Sequence, residues 1–439
     1  MKSTRLGTAL ALALTPSLAA AAEVPVSLGQ ALRTAEEHNP EILAQRARSA
    51  AAAARTGAVR RSTWPRLSLV TGWSRTDAPS MVFAQKLNAG EFDQADFAID
   101  RLNDPDTLSH LTTTLAAEVP IDLFGRVDAL ARAQSAREQA ADDATEEGLL
   151  ELRFQVSEAY RRAAVAHRLV ETTVQSVTAA RSREADMQAR VDEGAALAAD
   201  LLRVRGRRRQ READLAERRA DAAVAVAALS RILGAGDAVS YRPTELAGAP
   251  APLESDGAAW VARAVAARPQ VRAATRRMES QQWTARAEER AGRPELAAWG
   301  QVQDDRSRLG GGRRSTAFGL LLRWSAFDGA RGKRVAAAEA EARAAALEQR
   351  ATRDQVRLEV ETAWLRAQAA RERHVAAAGG AEEGREALRV VRERGEQGMA
   401  TLSDELETEA ASLAAEIEEI RAASDAAVAD AALLRAAGR

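Results

Sequence analysis

Along most of the chain, larger apolar residues recur every three or four positions among alanines and charges, the period of an amphipathic helix. The pattern runs without a proline from Val127 to Glu193 and again from Arg331 to Gln397, mostly in Ala, Glu, Arg, Gln and Leu, all good helix formers. Leu149, Leu152, Val156, Tyr160 and Leu169 mark one such stripe. At ~1.5 Å per residue, about 67 residues predict a rod of roughly 100 Å. A rod that long has no place inside a compact core, so it must lie beside other rods. Shorter helices are predicted over about 27–61 and 256–291 and, after Gly194 and Gly398, over the returns to Gly234 and Gly438.

The period changes to two in four short stretches: Leu67–Ser74, Leu111–Val119, Leu296–Val302 and Thr316–Phe327. In the last, Phe318, Leu320, Leu322 and Trp324 alternate with Gly319, Leu321 and Arg323. One face suits lipid and the other a lumen, and about ten residues is the length of a tilted membrane strand. Ten of the sixteen Phe, Trp and Tyr fall within 64–124 or 293–327, and Trp64, Trp73, Trp299 and Trp324 are candidate anchors at the membrane interface. A small soluble sheet is the alternative to the membrane strands on pattern alone, and a generic coiled coil is the alternative for the long helices.

The chain is written twice. Gly125, Gly194 and Gly234 each have a counterpart 204 positions on, at Gly329, Gly398 and Gly438. Pro40 and Pro65 have theirs 229 positions on, at Pro269 and Pro294. The offsets differ by 25 residues, which places one length difference between Pro65 and Gly125. A tandem duplication follows, with a first structural repeat over 23–234, a linker over 235–255 and a second repeat over 256–439. The strand regions are 66–120 and 295–327. The longer first connection, about Asp77 to Ser109, is expected to face the cell exterior.

Composition removes most other chemistry. Cysteine is absent, so disulfides, thiolate metal sites, Cys nucleophiles and a lipidated N-terminal Cys are not expected. His38, His110, His167 and His374 form no ligand-spaced pair, so no catalytic residue, metal site or cofactor is expected. A net charge of −1 gives no bulk attraction to nucleic acid. Lys2 and Arg5, an apolar run from Leu6 to Leu14 and the small residues Ala20, Ala21 and Ala22 read as a signal peptide over 1–22. No later stretch is apolar enough for a spanning helix, so any membrane passage falls to strands. Four strands cannot close a barrel, and an open edge is not tolerated in lipid. Two copies would make eight strands with a filled interior, whereas three make twelve with a lumen. A homotrimer is the smallest workable assembly.

With those features the chain resembles the TolC family of outer-membrane efflux proteins. Leu28-Gly29-Gln30-Ala31-Leu32 with His38-Asn39-Pro40 is similar to the family's opening helix. Asp122-Leu123-Phe124-Gly125 and Phe327-Asp328-Gly329 are similar to its strand-to-helix signature, and Gly194–Leu202 and Gly398–Leu406 to its hairpin turns. The resemblance implies a mainly α fold with a membrane β part: an α-helical barrel continuous with a trimeric twelve-stranded outer-membrane barrel. It implies a passive conduit reaching from the outer membrane of a Gram-negative bacterium into the periplasm. Lipid, a periplasmic adaptor and an inner-membrane pump would be its partners. The turns at Gly194 and Gly398 would dock the adaptor. Asp404 and Glu407, with Asp200 in the first repeat, match an acidic gate at the periplasmic mouth. Gly395 and Ala400 stand where the family's best-known member carries a Tyr and an Arg that latch the mouth. A secreted coiled-coil or adhesin-like protein is the alternative, but it leaves the duplicated strand pairs unexplained.

Overall fold

The computed structural model describes residues 22–235, 239–244, 256–308 and 311–439. The expected signal peptide lies outside these apart from Ala22, as does much of the 235–255 linker. The first repeat runs β1 (Ala22–Val26), α1 (Leu28–His38), α2 (Pro40–Arg60), β2 (Arg66–Thr76), α3 (Pro79–Ala89), α4 (Ile99–Asn103), β3 (Leu108–Ile121), α5 (Arg126–Asp192) and α6 (Ala198–Ile232). After β4 (Val239–Pro243) the second runs α7 (Gly257–Ala267), α8 (Pro269–Arg290), β5 (Glu295–Arg308), β6 (Gly311–Arg323), α9 (Arg331–Glu396) and α10 (Leu402–Ala436). The long helices have 67 and 66 residues and their returns 35 each, as the spacing of the glycines requires. No described helix is long and apolar enough to cross a membrane.

The repeats do not fold as separate domains. One compact unit comprises 1–44, 146–268 and 355–439; the other comprises 45–145 and 269–354. Each therefore draws on both repeats. In the first unit the duplication extends to the packed side chains. Leu152, Val156, Ala163 and Leu229 are buried, and so are their counterparts 204 positions on, Val356, Val360, Ala367 and Leu433. Ala31 and Ala35 are buried beneath α1 as Trp260 and Ala264 are beneath α7.

The long helices α5 and α9 and their returns α6 and α10 end on glycines at φ of 71–79°, Gly194, Gly234, Gly398 and Gly438. At each, the next amide returns five residues to the helix, as Ala195 N does to Arg190 O (2.7 Å) and Met399 N to Arg394 O (2.8 Å). This left-handed stop satisfies carbonyls that the helix end would leave bare, and a Cβ would oppose it. At Gly234 a Cβ would also come within 2.5 Å of the His38 carbonyl oxygen. Gly125 takes a positive φ, but its counterpart Gly329 does not, so the two strand-to-helix turns are alike in sequence and different in backbone.

The junctions α1–α2 and α7–α8 repeat one device with different residues. Asn39 Nδ2 donates to Ile232 O at the end of α6 (3.0 Å), while its Oδ1 accepts from Glu41 N at the start of α2 (2.9 Å). At the matching position Arg268 Nη1 donates to Ala436 O at the end of α10 (3.4 Å). Arg268 is buried, with Glu147 at 2.9 Å and Glu359 at 2.6 Å. Burial pulls its pKa down, but the two carboxylates more than offset this and hold the guanidinium charged.

Two features were not expected. β1 and β4 pair in parallel, from Ala22 against Val239 to Val26 against Pro243. Part of the expected linker is thus a strand, stabilised by a partner more than two hundred residues away in sequence. The connection between β2 and β3 holds the helices α3 and α4.

The asymmetry of the junctions sets an expectation. Asn39→Ala should cost ~1 kcal/mol, a net hydrogen bond. Arg268→Ala strands two partly screened carboxylates and should cost ~2 kcal/mol or more. Proteolysis of the detergent-solubilised protein at increasing urea should rank them in that order.

Candidate functional site

The strands form one antiparallel sheet in the order β2-β3-β5-β6. Direct pairing sorts the side chains onto two faces, because opposite residues in an antiparallel pair share a face. Trp73 lies opposite Leu111, and Leu69 opposite Leu115. Leu115 lies opposite Val302, and Leu296 opposite Leu322. With Leu67, Phe318 and Leu320 these make an apolar face, and Phe318 is 88% exposed. The other face pairs Ser74 with His110, Thr114 with Gln303, Ala116 with Gln301 and Gln303 with Ser315. Such a sheet has no apolar side that its own chain covers. β2 and β6 each keep one edge unpaired among the described residues.

Trp73 sits on the apolar face towards the β2–β3 connection, 68% exposed. Trp64 and Trp324 flank the sheet at its helix-bearing end, both exposed. Trp324 Nε1 donates to Gly292 O (3.2 Å) and Trp64 carries the Arg61 guanidinium over its ring. Trp299 lies on the other face. It pairs with Gly319 and Glu118 on the polar face, its indole seated against the glycine, where a Cβ would lie 3.1 Å from Nε1. A single-residue phase decides the face of a strand residue, and the alternation around Trp299 is too weak to read before the register is known.

The hairpin turns stand at the far ends of α5 and α9. Gly194 and Gly398 close those helices, and Leu197, Leu202 and Met399 are exposed by about two thirds. The second turn carries a capping box: the Thr401 hydroxyl accepts from Asp404 N (3.2 Å), and Asp404 Oδ2 accepts from Thr401 N (2.9 Å) and Oγ1 (2.7 Å). The Thr401 side-chain and backbone hydrogen bonds hold the Asp404 carboxyl below its ordinary pKa. Glu407, about one turn on, is exposed and within 3.5 Å of the Ser403 hydroxyl. In the first repeat Leu197 occupies the cap position and makes no side-chain cap, and Asp200 pairs with Arg203 at 3.2 Å. Asp200 and Asp404 have unlike surroundings despite their like positions.

The pattern did not point to Arg183. From α5 it reaches Glu405 (3.2 Å) and Glu409 on α10, with Arg392 of α9 at 3.9 Å from both carboxylates. This cluster ties the first hairpin to the second near their turns. The short i to i+4 spacing of Glu405 and Glu409 was legible, but the partner on another helix was not.

An antiparallel sheet with one exposed apolar and one polar face, joined at one end to paired long helices, defines a class of outer-membrane channel protein. The chain belongs to the outer membrane efflux protein family, whose profile matches residues 31–235 and 260–439. It is thus an outer-membrane efflux channel component, a passive conduit and not an enzyme. Its fold is similar to that of a membrane protein from Pseudomonas aeruginosa, at 24% identity and TM-score 0.77 over 93% of this chain and 92% of that one. The CmeC outer-membrane channel of Campylobacter jejuni matches at 15% identity and TM-score 0.78, over 100% and 94%. The MtrE outer-membrane channel of Neisseria gonorrhoeae, solved in its open state, matches at 18% and 0.75, over 94% and 88%. A sequence comparison with curated proteins gives no match.

The capping box is testable by itself. Thr401→Ala should cost ~1 kcal/mol locally and speed hydrogen exchange at the amides of 402–405, leaving the uncapped turn near Leu197 unchanged. The Asp404 contribution should be complete above the ordinary carboxylate range and lost as pH falls below the ordinary Asp value, because its folded pKa is depressed.

Proposed function

We propose that three copies join their sheets into a twelve-stranded barrel and their helices into a periplasmic tunnel, which receives cargo from an inner-membrane pump through a periplasmic adaptor. The observation that carries this is the sheet itself. It has two open edges and an apolar face, and lipid tolerates apolar faces but not open edges. On α9, Leu347, Leu358 and Leu365 recur at spacings that share one helix face, and all three are exposed. A neighbouring copy would cover them. Trp73 would sit in one interfacial belt and Trp64 and Trp324 in the other, with Trp299 turned to the lumen. The exposed Leu197, Leu202 and Met399 at the hairpin turns, beside Gly194 and Gly398, suit an adaptor's apolar contacts.

At the periplasmic mouth, Asp404, Glu407 and Asp200 would repeat threefold and make a cation-attracting constriction. Glu407 lies outside the capping box, so it would carry most of the effect, while Asp404 also serves the turn. With Gly395 and Ala400 in the expected latch positions, the Arg183 pairs to Glu405 and Glu409 would hold the hairpins together instead.

Purified protein should run as trimers in detergent and open discrete pores in planar bilayers; a monodisperse folded monomer that forms no pores would overturn the assembly. Asp404→Ala with Glu407→Ala should lose most of the cation preference and of the block by a trivalent cation from the periplasmic side. Unchanged selectivity in trimers would place the gate elsewhere. Arg183→Ala should lengthen open times severalfold; closures like those of the wild type would remove it from the latch.

A further inference from the structure

The connection between β2 and β3 that holds the first repeat's extra residues does not project away from the sheet. It folds across one end of the polar face and touches β2, β5 and β6. On β2, Ser74 Oγ accepts from Gln85 Nε2 of α3 (3.2 Å). On β6, Arg313 packs against Gly90 at the end of α3, where a Cβ would stand 3.2 Å from Arg313 Cδ. On β5, the Ser307 hydroxyl donates to Glu91. Between them His110 of β3 and Asp305 of β5 are each 2% exposed and 2.9 Å apart. Their burial stands out in a sheet otherwise largely open, and α3 packs on β5 and β6. Ser74 pairs with His110, and in the next row Thr112 pairs with Asp305 and Asp305 with Arg313, all on the face of Gln301 and Gln303.

The connection also has an interior of its own, which distinguishes it from a loose loop. Val82 and Ala89 turn inward, and Phe83, Phe92 and Phe97 stack edge to face at 4.7 and 5.0 Å. Lys86 Nζ meets Asp96 at 2.7 Å, and Asp96 closes a capping box with Asp93. Met81, Ala84 and Leu87, on the side of α3 away from the sheet, are exposed.

We propose that residues 77–107 fold inward over the lumenal face and form a size-selecting constriction at the exterior end of the duct. The inference rests on the trimeric barrel reading: if the polar face lines the lumen, whatever covers that face occupies the lumen. Only two residues, 309 and 310, separate β5 from β6 in the second repeat, so each copy supplies one such insert.

Replacing 79–105 by a short turn should give trimers whose single-channel conductance is at least twice that of the wild type. Trimers that conduct as the wild type does would overturn the constriction while leaving the barrel standing, whereas a wild type that forms no trimeric pore would instead overturn the barrel. Should the shortened chain fail to assemble, Ala84→Cys provides a second route, because the wild type has no cysteine to react. A bulky methanethiosulfonate added from the exterior should cut its conductance by at least a third and leave the wild type unaffected. Complete labelling, verified by mass, with unchanged current would place α3 outside the lumen.

Discussion

A sheet with two open edges and no covered apolar face is incomplete by its own physics, and the other features of this protein can be read as consequences. Each unpaired N–H or C=O in hydrocarbon costs several kcal/mol, so pairing at β2 and β6 is obligatory wherever the sheet meets lipid. Burial within the chain cannot supply it, because the helices leave the sheet at one end and do not cover its face. The large exposure of Phe318, Leu320 and Leu67 is therefore a solvent requirement, with lipid as the solvent, and not a defect of packing.

Along the long helices the problem is different. Long helices need partners along their whole length, and the duplicated core supplies them at fixed intervals: Leu152, Val156 and Leu229 in one repeat, Val356, Val360 and Leu433 in the other. The ends of the return helices are then fixed by side chains from the α1–α2 and α7–α8 junctions. That Asn39 and Arg268 perform the same capping with unlike chemistry shows which part of the duplication was kept: the geometry of a bare carbonyl at a helix end, not the residue that satisfies it. Arg268 adds ties to α5 and α9 through Glu147 and Glu359, which Asn39 is too short to make.

Much of this was legible in the sequence because it follows from period and punctuation. Helix lengths came from the distances between repeated glycines, and strand faces from the alternation around Phe318 and Leu320. What escaped shares a different property: it depends on contacts between residues far apart in the chain. β1 pairs with β4, Arg183 meets Glu405, and Trp299 takes its face from the register with Gly319. The hairpin acids were found by position, but their environments were not. Asp404 is held by Thr401, whereas Leu197 in the matching place leaves Asp200 to pair with Arg203.

The two repeats differ most at the two ends of the proposed duct. At the hairpin turns the difference is a cap present at Thr401 and absent at Leu197. At the other end it is the β2–β3 insert, which has no counterpart between β5 and β6. Between these ends Leu152, Val156, Ala163 and Leu229 match the buried Val356, Val360, Ala367 and Leu433, because helices in the proposed shared wall must keep the same spacing to stay in register with their neighbours. The wall is the part where substitution would be felt by every neighbouring rod. A loop or a turn can change without disturbing that register, so the positions free to diverge are those that meet cargo or a partner. In a passive conduit, which has no reaction to confer specificity, those ends are where selectivity can be built.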